Sequence, residues 1–439
     1  MTTQTPRKKR VVVIGSGLAG LTAAYLLHND PKCEYSVEIF ESGSRPSLDA
    51  TTLPTNFGSE IDIPMRTFSK TYYSTLYTLY KHLNLPIRVQ KFTFIFTTLS
   101  STQSQPKTYH AHSSNFHALP LPAPDVSLLS HIMALAMLYL AYSCFTLYIL
   151  LLHPHENETL SSWLHRSRLP GWAVEDYFLP MFGAVGTCSS AELLLFPAQD
   201  VITYCRKLLF RRNYIVAGGV STIRRRLLSG IPIQLNRRVS RVRKTPQGLN
   251  ICWHGSGGKE EVADAVIFAV PPDIVAGIYT PLAPQLLQIP TTKVKVYAHT
   301  DRTILTPSYP DLSSSFMRRK DHVPVQLITT SRLTSATEIH GGVMVSTTPP
   351  LLPRKNEVII EAEYTRVLRT PKSRRIVNAL LDGSCEDKGG WRNGDDGVWI
   401  VGGWCWDGMV LLEGCIRSAV RVWEEGFGGN FEDLERVAS

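Results

Sequence analysis

Four β-branched residues in succession, Val11-Val12-Val13-Ile14, run straight into Gly15-Ser16-Gly17-Leu18-Ala19-Gly20. A strand apolar on both faces belongs inside a parallel sheet covered on each side. Leu21 to Leu27 continues as a helix, Asn29-Asp30-Pro31 ends it, and Ser36-Val37-Glu38-Ile39-Phe40-Glu41 reads as a second strand. The result is one βαβ unit with a glycine turn between its first strand and its helix. In such a turn Gly15 permits the tight bend, Gly17 lets the backbone approach a pyrophosphate, and Gly20 lets helix and strand pack closely. Ser16, Leu18 and Ala19 complete the turn, and the helix start offers N–H groups and a positive dipole end to phosphates. Glu41 stands 21 residues after Gly20, where a carboxylate accepts bonds from an adenosine ribose and disfavours a 2′-phosphate. The unit marks a dinucleotide site and by itself leaves FAD and NAD open.

The rest of the composition narrows the class. A chain of 439 residues has room for two domains, or one with large insertions. Hydrophobic residues at 44% and charged residues at 19% suit a chain that buries a core. Mean hydropathy of −0.04 argues against many membrane spans. The net charge is +9, but the basic residues fall in small groups: Arg7–Arg10, Arg211–Arg212, Arg224–Arg226, Arg318–Lys320 and Arg374–Arg375. No zinc-finger or RNA-binding pattern accompanies them, so nucleic acid is not an expected partner. None of the eight cysteines forms a CxxC pair, no metal site is expected, and they read as reduced thiols facing a cytosol. Arg7–Arg10 ahead of an apolar run imitates a secretory leader, but the three glycines interrupt that run and no clear cleavage site follows.

Along the chain, Thr71 to His82 reads as a helix, residues 97–125 as a polar loop or insertion, and 160–230 as helical with breaks at Pro170, Pro180 and Pro197. Ile233 to Val242, Leu249 to Trp253, Ala265 to Val270 and Val398 to Val401 read as strands, as do segments of 291–365, with a last helix from about Leu411 to Glu424. The expected fold is α/β: a Rossmann-like FAD-binding domain with a second α+β substrate domain, each discontinuous in sequence. Residues 9–96 and 231–290 form the two parts of the first domain. Residues 97–230 form a mostly helical insertion carrying an apolar helix at 126–152, and 291–395 supply substrate-domain strands. A C-terminal cofactor motif at 396–425 and a tail at 426–439 complete the chain.

Three distant segments decide the cofactor. Glu60-Ile61-Asp62-Ile63-Pro64-Met65-Arg66, Ala265-Val266-Ile267-Phe268-Ala269-Val270-Pro271-Pro272, and Val398 to Ala419 with Gly402-Gly403 and Glu413-Gly414 stand in order along the chain. Together with Ala298-His299-Thr300-Asp301 they resemble the flavin-containing amine oxidase-like superfamily. The likeness is to the branch of NAD/FAD-binding proteins related to amine oxidases and phytoene desaturases, from about residue 9 to 423. The resemblance implies FAD, because that fold returns to its cofactor near the C-terminus. It adds Arg66, Val239, Gly402, Gly403, Trp404 and Glu413 to the cofactor-binding set. Two departures stand out. Where the family carries Gly-Gly-Arg or Gly-Gly-His after its ribose acid, this chain has Arg45-Pro46-Ser47-Leu48. The family's Gly-Thr-Glu is replaced by Gly403-Trp404-Cys405.

Flavin chemistry asks the protein mainly to position a C–H bond and exclude water. The resemblance implies a lysine near flavin N5, and Lys293 and Lys295 lie in the matching segment, with at most one expected to face the flavin. His299 and Asp301 are a candidate acid–base pair, with a structural role the stronger reading. Trp404 and Trp406 are candidates for stacking on the flavin. Ile132 to Leu152 is 21 residues without a charge, enough to cross a bilayer as a transmembrane helix. A single crossing would separate segments that must share one site. The stretch is therefore expected to lie in a membrane interface, to dip in and return, or to be buried. The expected protein is an FAD-dependent oxidoreductase that passes a hydride from an apolar or amine substrate to flavin, on a cytoplasmic face and associated with a membrane through residues 126–152. The rivals are a flavin-binding protein with degenerate catalysis and a non-redox flavin isomerase.

Overall fold

The structure is a computed structural model. It describes residues 7–32, 34–48, 51–54, 60–64, 66–99, 107–113, 127–254, 260–305, 325–330, 334–340, 342–383, 391–432 and 434. Met65, Cys33, Cys385, the basic group at 318–320 and residues 433 and 435–439 of the tail lie outside these residues.

A five-stranded parallel sheet organises the chain. Its strands are β1 (Lys9–Ile14), β2 (Tyr35–Phe40), β3 (Ile233–Gln234), β4 (Ala265–Phe268) and β5 (Val398–Ile400), in the order β3-β2-β1-β4-β5. The apolar run of β1 serves both faces of this sheet. Val11 and Val13 join a core with helix α1 (Leu18–His28) and helix α4 (Leu412–Phe427). Val12 and Ile14 join a second core with Val266, Phe268 and Ile400 on the other side. All four residues are at most 4% exposed. Two further helices matter to the site and the surface: α2 (Ser74–His82) and α3 (Leu128–Leu151).

The second layer is a seven-stranded mixed sheet built on Thr291–His299, Val358–Val367 and the strands between them, and it is extended by Thr93–Thr98 and Lys107–Ser113. This differs from the polar loop expected at 97–125. Thr93–Thr98 and Lys107–Ser113 pair antiparallel, and Thr93–Thr98 also pairs with Val325–Thr330. Thr93, Ile95, Phe96 and Thr97 are buried in this sheet, and Thr98 is exposed. The rest of that loop lies outside the described residues. A second correction concerns Ile233 to Val242. After Gln234 the chain leaves β3, passes Asn236 in a left-handed conformation (φ 56°), and starts a separate strand, Val239–Thr245, in a three-stranded meander. The region 160–230 is mostly helical but contains the strand Asn213–Val216, which pairs with Ile87–Gln90.

The two ends of the chain are locked by α1 and α4, which pack side by side. Trp423 Nε1 donates 2.8 Å to Asp30 Oδ2, and Asp30 is 2% exposed. Trp423→Phe keeps the ring but strands a buried carboxylate, so unfolding stability should fall by about 1–3 kcal/mol. Urea titration checks this, and an unchanged midpoint would show that the seam does not depend on the bond.

Candidate dinucleotide-binding site

The strand order reverses at the boundary between β1 and β4, and the carboxyl ends of these strands are the ligand-binding position of doubly wound sheets. Gly15 follows β1 and Ala269 follows β4, whose N–H donates 2.8 Å to Ile14 O. Gly15 has φ +105°, and a Cβ there would stand 2.7 Å from Ala269 O. A Cβ on Gly20 would stand 2.1 Å from Gly15 O and 2.8 Å from Ala269 Cβ. Both glycines are therefore fixed by close packing, as their spacing implies. Gly17 caps α1 with φ −64° and ψ 171°, and no side chain caps the helix. The first N–H groups of α1, at Leu18 and Ala19, thus keep the positive end of the helix open to an anion.

Glu41 is buried beside this turn. One carboxylate oxygen accepts from the Ser16 N–H (2.9 Å) and the Ser16 hydroxyl; the other accepts from the Gly43 N–H (2.7 Å) and the Ser42 hydroxyl (3.2 Å). A carboxylate has about four acceptor sites, and these four donors occupy them, the Ser42 contact being the longest. The segment after Glu41 folds back onto the turn. Ser47 N–H donates 2.9 Å to Ser16 Oγ and Leu48 N–H donates 3.0 Å to Ser16 O. Leu48 is 3% exposed with φ +49°. The left-handed backbone that glycine ordinarily supplies is kept here by a leucine, at a cost of about 1–2 kcal/mol. The strand carrying Val239 begins just beyond a contact with the same turn, where Arg237 N–H donates 2.8 Å to Glu41 O. The Arg237 guanidinium lies 4.7 Å over Phe40 and 4.5 Å over Trp253. Nothing in the local sequence pattern pointed to that stack.

The C-terminal motif follows β5. Here the glycines are occupied by the chain's own tryptophans. A Cβ on Gly402 would stand 2.8 Å from Trp404 Nε1, and one on Gly414 would stand 2.3 Å from the Trp406 ring. A Cβ on Gly403 would stand 3.2 Å from Leu411 O and 3.3 Å from Cys415 Sγ. Trp404 is buried, while Trp406 bonds Met409 O through Nε1 (2.9 Å) and meets Tyr72 edge-on. Glu413 is turned away toward α2: its oxygens accept from the Thr75 and Leu76 N–H groups at 3.1 Å each, and from Arg417 at 2.8 Å. It caps α2 rather than standing open to a cofactor. Buried Arg369 donates to Trp406 O and Gly408 O and lies 3.8 Å from Asp200, which holds this loop in place.

Arg66 is half-buried, and its charge acts on Tyr73, Tyr80 and Arg366. Burial pushes both phenols up and Arg66 partly offsets this. Burial pulls the Arg366 guanidinium down, with Arg66 repulsion adding to it. Arg366 is anchored by Gly186 O at 2.9 Å. Lys293 and Lys295 are not directed inward. They share one exposed face of their strand, because residues two apart point the same way, and they stand near Glu363 (3.9 Å) and Glu361 (3.5 Å). His299 and Asp301 do not form a pair through their side chains. His299 Nε2 is 2.9 Å from Ser346 Oγ, while Asp301 caps a turn through the Thr303 and Arg354 N–H groups at 2.9 Å. A cavity of about 370 Å3 lies between α2 and α4, lined by Thr75, Trp406, Asp407, Arg417 and Arg421. No residue of the glycine turn lines it.

Residues 13–83 match the model of the NAD(P)-binding Rossmann-like domain. No curated protein matches the chain. Among solved structures, a fatty acid isomerase from P. acnes that produces CLA is similar over 96% of this chain and 100% of its own, with TM-score 0.63 at 11% identity. A putrescine oxidase bound to putrescine is similar over 96% and 100%, with TM-score 0.59 at 15% identity. A putative protoporphyrinogen oxidase from Exiguobacterium sp. 255-15 is similar over 98% and 99%, with TM-score 0.57 at 14% identity. The chain is thus a mixed α/β protein with a Rossmann-like dinucleotide-binding domain. Its fold is the one these solved structures share.

The buried histidine supplies a pH test. Burial lowers the His299 pKa, with the Asp301 charge opposing. A depressed histidine contributes full stability above its unfolded value of about 6.5 and loses it as the pH falls through that value toward the native one. His299→Gln should therefore flatten the stability loss between about pH 7 and about pH 5. Denaturation midpoints across that window check it, and parallel curves for the two proteins would refute it.

Proposed function

We propose that this protein is an FAD-dependent oxidoreductase that takes a hydride from an apolar or amine substrate. The observation that carries the reading is the meeting of Gly15 and Ala269 at the strand-order reversal, with β5 and the C-terminal motif alongside. The residues fit the adenosine diphosphate half of the cofactor. The α1 start at Gly17 to Ala19 would hold phosphate, and Glu41 the ribose, while Arg237 and Val239 border the same turn. Arg66, Gly402, Gly403 and Trp404 would stand toward the flavin half. A bound flavin supplies the hydride-accepting ring. The chain's share is to bind it, to orient the substrate against it and to keep water out with its buried aromatic residues, among them Tyr72, Tyr73 and Tyr204. The similarity of fold to two oxidases and an isomerase supports this class.

A second reading is a flavin-binding protein without oxidase turnover, or a flavin isomerase. It is favoured by Lys293 and Lys295 standing on an exposed face, and by Trp404 and Trp406 resting on the motif's own glycines. The visible spectrum of the purified protein tests both at once. Flavin bands are expected, and their absence after reconstitution with FAD would sink either reading. Reduction of the bound flavin by a candidate amine or lipid under anaerobic conditions then separates oxidase from isomerase.

Gly17→Asp isolates the phosphate contact. Aspartate is a good helix cap, so stability should be kept or gain about 0.5 kcal/mol relative to glycine. Its charge would repel a phosphate at the same N–H groups. The expected outcome is an intact fold with flavin occupancy reduced at least about tenfold. Full occupancy would show that the cofactor does not use this helix.

A further inference from the structure

We infer that α3 is a monotopic anchor that lies along the surface of an anionic lipid bilayer. The helix has 24 residues and no Asp, Glu, Lys or Arg. A helix apolar on all sides belongs in a core or in lipid, and the protein covers only one stripe of this one. Leu138, Ala141, Phe145 and Ile149 are buried, and Phe145 stacks on Phe178 at 4.5 Å. On the opposite side Leu129, Met133, Leu140, Leu147 and Leu151 are each more than half exposed, and Leu128, Ile132 and Leu150 are at least half exposed beside them. At about 100° per residue, this exposed surface covers an arc of about 180° and runs the full length of about 36 Å. Ordinary soluble monomers do not present such a continuous apolar surface.

The geometry selects lipid over the other occupants. Burial inside the protein does not occur, since only 22% of the most apolar window is covered. A single crossing is excluded by the central sheet: β1 and β2 precede α3, β3, β4 and β5 follow it, and all pair together. A second copy presents one ridge to one groove, which leaves much of a half-circumference uncovered. Lipid covers all of it. The charge pattern agrees. At the end of α3, Arg206 donates to Ile149 O and reaches His153. The chain then continues to Phe210, which is 88% exposed, between the exposed cations Lys207, Arg211 and Arg212. Of the acids nearby in sequence, Glu156 is exposed and Glu158 is held by Arg166 at 2.8 Å. An exposed aromatic ring among cations beside an apolar helix suits the headgroup layer of anionic lipids. Attachment of this kind does not require bound flavin.

Flotation of the purified full chain in a density gradient tests the anchor, with vesicles of phosphatidylcholine alone or mixed with phosphatidylserine. The protein should float with both and partition at least about tenfold more strongly with phosphatidylserine. Met133→Glu combined with Leu140→Glu and Leu147→Glu alters only exposed positions. This variant should stay at the bottom with its thermal unfolding unchanged. Lys207→Glu combined with Arg211→Glu and Arg212→Glu should remove only the preference for phosphatidylserine. Three results would overturn the anchor. The native protein could stay at the bottom with both lipids. The triple glutamate variant could float as well as the native chain. The native protein could instead be a dimer that ignores vesicles and that this variant converts to monomer, which would assign the face to a second copy.

Discussion

β1 is hydrogen-bonded along both edges, to β2 on one side and β4 on the other, and its last four residues are closed off from water. A strand with no free edge and no free face has one register that buries it completely. A slip by one residue would exchange Val11 and Val13 for Val12 and Ile14 between two different cores. That register fixes the height at which Gly15 leaves the sheet. It therefore fixes the contact of Gly15 with Ala269, the start of α1 and the position of Glu41. β5 adds to β4 in the same register, with Phe268 opposite Ile400. Segments far apart in the chain are aligned by one short apolar run.

The parts of this arrangement that are local in sequence can be read from it. The βαβ unit declares itself because glycine spacing, apolar periodicity and a terminal acid all act within about thirty residues. The boundary within 233–242 falls where Asn236-Arg237-Arg238 interrupts the apolar alternation, at Asn236, a residue that tolerates the left-handed region. Thr93–Thr98 and Lys107–Ser113 were hidden because the second partner of Thr93–Thr98, Val325–Thr330, lies more than two hundred residues away, and because threonines at both ends gave the strand a polar look. The inward-facing expectation for Lys293 or Lys295 failed on the simple two-residue period of a strand. Glu413 entered the cofactor-binding set only through the resemblance of its segment. Its true neighbours, Thr75 and Leu76, come from the far side of the chain, and no local pattern announces a cap of that kind.

Glycines in a binding motif are usually read as space left for a ligand. In this chain the space beside Gly402 and Gly414 is filled by Trp404 and Trp406. Leu48 shows the converse, a glycine-like backbone without the glycine. The two observations stand at opposite ends of the chain. Residue identity and backbone shape have parted company here, so a motif scored by letters alone both overstates and understates what the site can hold.

The position of β5 and α4 after residue 397 has a consequence for how the protein comes into being. As the ribosome delivers the chain from its N-terminus, β1, α1, β2 and α2 emerge first and α3 follows, well before β4 and β5. Through that interval β1 has one unpaired edge, α2 starts with bare N–H groups, and α3 presents its whole apolar circumference. A nascent chain in this state has every reason to settle on a lipid surface or a chaperone, and only the arrival of Glu413 closes the first helices over the sheet. The strand and helix that complete the sheet and cap α2 are thus the last to arrive.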